Sequence, residues 1–77
     1  MKKLKAFVKD KRKVAGLTQE AFAEKAGVAL TVIRKIEQGK TDLQLEKVNQ
    51  VLKMFGHELA PVSIKLLNEN EKGSDLL

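Results

Sequence analysis

The chain has no cysteine, no tryptophan and no tyrosine, and it carries one histidine and one proline. Without cysteine, neither a disulfide framework nor a thiolate metal site can staple it. The single histidine, His57, has no cysteine partner and no carboxylate at a metal-binding spacing, and no glycine-rich phosphate loop is present. No enzymatic activity, no metal and no cofactor are therefore expected, and His57 reads as a surface or dimer-seam residue. All three aromatic residues are phenylalanine, which argues against single-stranded nucleic acid held by stacked bases. Met54 and Phe55 read as core. The longest apolar runs are only a few residues, too short to span a bilayer. Nothing reads as a signal peptide, so a cytoplasmic, nucleoid-associated location is expected.

What is present is enough chain for one domain, and an excess of positive charge. The 77 residues allow a modest core, and chains this small often gain stability by oligomerising. The formal charge of +5 is unevenly spread. Residues 1–13 hold seven bases (Lys2, Lys3, Lys5, Lys9, Lys11, Arg12 and Lys13) against Asp10 alone. The last ten residues, NENEKGSDLL, reverse this with three acids and one lysine, leaving a body of 14 bases and seven acids. Such a body attracts polyanions, either nucleic acid or an anionic membrane face. A solubilising lysine surface would look the same from charge alone.

Hydrophobic spacing predicts a helical chain almost to its end. Leu4, Phe7, Val8, Lys11/Arg12 and Ala15 follow a three-four repeat that ends at Gly16. Thr18 is a good N-cap for a second helix, with Glu20 well placed in its first turn. Phe22, Ala23 and Ala26 face inward before Gly27 stops that helix. A third helix, about Leu30 to Gln38, buries Ile33 and Ile36 and ends at Gly39. A fourth, from about Leu43 to Phe55, shows Leu45, Val48, Val51, Leu52 and Phe55 at helical spacing before Gly56. In HELAPVSIKLL, Val62, Ile64 and Leu66 alternate with Ser63 and Lys65, which is strand periodicity. Pro61 confines this to an edge strand or to one starting after the proline. Pairing with a second copy would give the strand a partner, with Leu59, Val62, Ile64 and Leu66 at the dimer seam. The other reading is an arm lying on the bundle.

A helix, a tight glycine turn and a second helix form a helix-turn-helix, which presents its second helix to the DNA major groove. That groove is about 12 Å wide and admits one α-helix. GLTQEAFAEKAGVALTVIRKIEQGKT, with KDKRKVAGLTQ overlapping its start, resembles the Cro/phage-repressor (Xre) helix-turn-helix family over roughly residues 4–56. The matching positions are Thr18, Gln19, Ala23, Gly27, Val28, Ile33, Ile36, Glu37 and Gly39. Within it, GKTDLQLEKVNQVLKMFGHELAPV looks most like the HipB-type antitoxins. The fold implied is an all-α, four-helix lambda-repressor-like bundle: residues 1–56 bind DNA, 57–67 form a strand or arm, and 68–77 a flexible acidic tail.

The resemblance also implies roles. Leu30, Thr31, Arg34 and Lys35 would contact bases. Arg34 can bond guanine O6 and N7 together, while Thr31 and Leu30 suit a base edge or thymine methyl. Arg12, Thr18, Gln19, Lys40 and Thr41 would contact phosphates, and Arg12 would pair with Glu37 to tie the third helix to the scaffold. Ala29 departs from the family, which usually caps the third helix there with Ser or Thr. That helix would then start loosely or one residue later, at Thr31, and discrimination would lean partly on DNA shape. The function expected is a dimeric repressor on a palindromic operator, with HipB-like neutralisation of a co-encoded kinase-like toxin. A free-standing regulator, a protein-interaction module and a peripheral membrane binder are the alternatives. The last is disfavoured because the first helix commits Phe7 and Val8 to the core.

Overall fold

A computed structural model of the chain describes residues 2–65. It is all-α: α1 (Lys2–Val14), α2 (Gln19–Ala26), α3 (Leu30–Glu37) and α4 (Leu45–Leu52), the last extended by a 3₁₀ turn at Lys53–Phe55. One core joins them. Val8 from α1, Phe22 from α2, Ile33 and Ile36 from α3, and Val48 and Val51 from α4 are fully buried. Burying each such side chain contributes about 1.5–3 kcal/mol, far more than helix propensity does in segments this short. Phe55 completes the core from the 3₁₀ turn, 5.6 Å from the Phe22 ring and edge-on to Phe7 at 6.3 Å.

The expected stripes overrun the helices at two places. Ala15 is exposed beyond the end of α1. Leu45 is 71% exposed, because the extended backbone of Gln44 starts α4 only at Leu45 and the helix's first residue lies outside the packed bundle. Leu43 instead packs against the core from the preceding loop.

The expected strand is absent from the described residues. Val62 and Ser63 are irregular, and Ile64 and Lys65 are helical. An alternating pattern alone cannot make a strand, since its backbone groups need a neighbouring strand and the described residues offer none. The segment behaves first as an arm on its own bundle. The Leu59 N–H donates to Asn49 Oδ1 of α4 at 2.6 Å, and the Leu59 side chain packs on the core. Val62 and Ile64 stand exposed. Leu66 and the acidic tail lie outside the described residues. His57 is exposed, its ring 4.7 Å from that of Phe7 and its Nδ1 2.7 Å from the Phe55 carbonyl, so it shields the aromatic cluster.

Candidate nucleic-acid interface

The turn between α2 and α3 is built by local chemistry. Thr18 holds extended backbone and its Oγ1 accepts from the Ala21 N–H at 3.1 Å, starting α2. Its own hydroxyl hydrogen remains available to an outside acceptor. At the other end Gly27 adopts φ 74°, a left-handed conformation that strains any residue with a Cβ. The Gly27 N–H donates to the carbonyls of Ala23 and Glu24, and the Val28 N–H to Ala23 at 3.1 Å, closing the helix end.

Gln50, from α4, then fastens the turn. Its Nε2 donates to the Ala26 carbonyl at 3.0 Å and the Gly27 carbonyl at 2.9 Å. A Cβ on Gly27 would approach that nitrogen to 3.0 Å, so the Gln50 amide would have to give by a few tenths of an ångström, while the φ is what calls for glycine. Sequence reading missed Gln50, because nothing local marks a side chain that acts 23 residues away.

The far end of α3 is fastened by Glu37. Arg12 Nε donates to Glu37 Oε2 at 2.7 Å and Arg12 Nη2 to Oε1 at 3.0 Å, while Arg12 Nη1 donates to the Leu17 carbonyl at 2.9 Å. Gln19 Nε2 adds a bond to Glu37 Oε1 at 3.3 Å. One carboxylate therefore ties α1, α2 and α3 together. Burial pushes the Glu37 carboxyl up, but the hydrogen bonds from Arg12 and Gln19, with the charges of Arg12 and Lys9, outweigh it and leave it below the ordinary glutamate value. The bond to Glu37 raises the Arg12 guanidinium correspondingly, against the effect of desolvation. Arg12 is thus turned inward, its side chain only 14% exposed. The pairing with Glu37 expected of Arg12 is present, and its three nitrogens are directed to Glu37 and the Leu17 carbonyl. Gln19 sits half-buried beside it, with one amide hydrogen directed to Glu37 and a second still unassigned.

Locked at both ends, α3 starts at Leu30 rather than Thr31. Ala29 makes no side-chain cap. Leu30 and Val32 anchor the first turn by packing on the core, and that packing replaces the missing cap. Leu30 is therefore half-buried, where an open position on the front of the helix was expected. The exposed face of α3 carries Thr31, Arg34 and Gln38 at one-turn intervals, with Lys35 half-exposed beside them. Gln38, the C-cap residue just past α3, is exposed on the same stripe, a position the sequence reading did not single out although its spacing from Thr31 and Arg34 placed it there. Lys40 and Thr41 are exposed on the loop that follows. A shallow groove of about 350 Å³ runs between that loop and α3, with Thr31, Lys35, Asp42 and Lys47 on its walls.

A family model described as helix-turn-helix matches residues 8–60. The chain belongs to the Xre/lambda-repressor-like helix-turn-helix family. No curated protein and no solved structure matches it. Membership of this helix-turn-helix family supports DNA binding in transcriptional regulation as the coarse function. Among the described residues, no helix is long and apolar enough to cross a membrane.

Proposed function

We propose that this helix-turn-helix chain is a sequence-specific, double-stranded DNA-binding repressor that acts in the cytoplasm as a homodimer on a palindromic operator. The observation that carries the reading is the division of α3. Ile33, Ile36 and Glu37 are buried, while Thr31 and Arg34 stand on an open face with the side-chain chemistry to read base edges. Thr18, Gln19, Lys40 and Thr41 lie at the two ends of the helix-turn-helix, where phosphates flank an inserted helix. Two copies would place their recognition helices about 34 Å apart, one turn of the duplex.

The test is binding to a duplex selected by the protein from a randomised pool, compared with the same bases scrambled, over a salt series. Six to ten phosphate contacts per complex weaken binding by about 10³–10⁵ between 50 and 200 mM salt. A salt-independent affinity, or no preference for the selected duplex, would remove the reading and leave a protein-interaction module of the same fold. Sedimentation of the free protein and of the complex checks the dimer, with Val62→Ser/Ile64→Ser as the interface variant.

The finer role rests on the resemblance of residues 39–62 to HipB-type antitoxins: repression of its own operon and neutralisation of a kinase-like toxin. Its test is co-purification with the product of any adjacent kinase-like gene. A chain whose neighbouring genes encode no kinase-like protein would be a free-standing regulator instead.

A further inference from the structure

The two cations of the reading face are each matched with an acid of the same chain. Arg34 Nη2 lies 3.8 Å from Glu20 Oε1 on α2, and Lys35 Nζ lies 3.0 Å from Asp42 Oδ2 on the loop after α3. Neither acid is buried: the side chains of Glu20 and Asp42 are 66% and 69% exposed, and those of their partners about half. Exposed pairs of this kind add little to folding stability. Their placement has a different consequence. A carboxylate bordering a DNA-binding face repels phosphates, and it turns its cation away from the nearest backbone oxygen toward one fixed direction.

We propose that Glu20 and Asp42 are specificity determinants, holding Arg34 and Lys35 aimed at base edges and making an arbitrary phosphate backbone a poor substitute for the right sequence. This rests on the DNA-binding reading and extends it. On random duplex, the two cations gain only phosphate contacts, which the acids oppose. On the correct sequence, Arg34 meets a guanine edge within the arc that Glu20 allows, and Lys35 does likewise beside Asp42. The acids then cost the specific complex little, because they orient the donors that it uses. The pairs are weak enough for a base edge to draw the donors forward on binding. The discrimination arises from a repulsive element placed beside an attractive one.

The experiment uses the full chain as wild type, Glu20→Gln, Asp42→Asn and the double variant, with Glu58→Gln as a control for net charge. Each is titrated against a duplex selected by the wild-type chain from a randomised pool and against the scrambled duplex. Removing either acid should tighten scrambled-duplex binding about fivefold, the factor that one unit charge about 4 Å away in water is worth. Binding to the selected duplex should stay level or weaken, so the preference falls about fivefold per acid and about 25-fold in the double variant. Glu58→Gln should leave the preference unchanged, and melting temperatures should stay within a few degrees of wild type, Glu20→Gln losing only the favourable charge in the first turn of α2. Equal tightening on both duplexes, leaving the double variant's preference at the wild-type value, would overturn the proposal. That result is separable from failure of the DNA reading, in which wild type itself shows neither salt-dependent binding nor preference and both ideas fall together.

Discussion

Replacing Glu37 with alanine removes the acceptor of three hydrogen bonds, two from Arg12 and one from Gln19. The guanidinium is left without its counter-ion in a site where its side chain is only 14% exposed. Breaking a fully buried pair by deleting one partner costs about 3–5 kcal/mol. Water can reach the outer edge of Arg12, so the loss here should be about 2–3 kcal/mol, between that range and the negligible worth of a surface pair. A domain of this length is stable by roughly 4–12 kcal/mol, so the substitution removes a large share. The melting temperature should fall by about 10–20 °C, followed by circular dichroism. The cycle Arg12→Ala, Glu37→Ala and the double variant isolates the pair. The double variant should be more stable than the sum of the singles by at least 1 kcal/mol, because deleting both leaves no orphaned charge. The pair's contribution also depends on pH. The Glu37 carboxyl lies below its ordinary value when folded, so the unfolded chain binds the proton more readily. Stability from this group is complete above the ordinary glutamate value of about 4.3 and is lost as pH falls below it through the folded value. Additive single and double variants, or a Glu37→Ala protein that melts within a degree or two of wild type, would refute the argument.

Gly27→Ala should lower stability by about 2 kcal/mol, from the left-handed backbone and the approach to Gln50, as measured by urea unfolding. Gln50→Ala should cost about 1–2 kcal/mol for the loss of two carbonyl bonds, and should relieve a small part of Gly27→Ala by removing the close approach. Thr18→Ala should cost about 1 kcal/mol through the lost cap, with no change in sequence preference. Thr31→Ala/Arg34→Ala should keep the wild-type melting temperature but lose most of the preference for the selected duplex over its scramble. Retention of that preference would mean that α3 does not read bases.

What could be read from the sequence was set by range. Thr18 as a cap and Gly27 as a stop are local decisions, and both stand where spacing placed them. Ile33 and Ile36 followed from helical periodicity. Arg12 and Glu37, 25 residues apart, were paired only through resemblance to the family, since no spacing rule reaches that far. The bonds of Gln50 to the turn and the acids beside Arg34 and Lys35 had no such guide and required the fold itself. Periodicity erred where it was extended past what a neighbour could cover. Ala15 and Leu45 are exposed at helix ends, and Val62 to Ile64 alternate with no strand among the described residues to pair with.

The clamps at the two ends of α3 explain how so small a domain can present a helix at a defined angle. Apolar packing holds Ile33 and Ile36 in place, but burial is not directional and tolerates rotation of one helix on another. Hydrogen bonds have preferred distances and angles, and they weaken steeply when bent. Gln50 grips both carbonyls of the turn before α3, while Glu37 gathers Arg12 and Gln19 at its end. Rotating α3 about its own axis would stretch the bonds at Glu37, and shifting the end of α2 against α4 would stretch those of Gln50. The clamps therefore hold the orientation of Thr31 and Arg34 more stiffly than the core alone could, and the sequence reading proposed for so few side chains would depend on that stiffness.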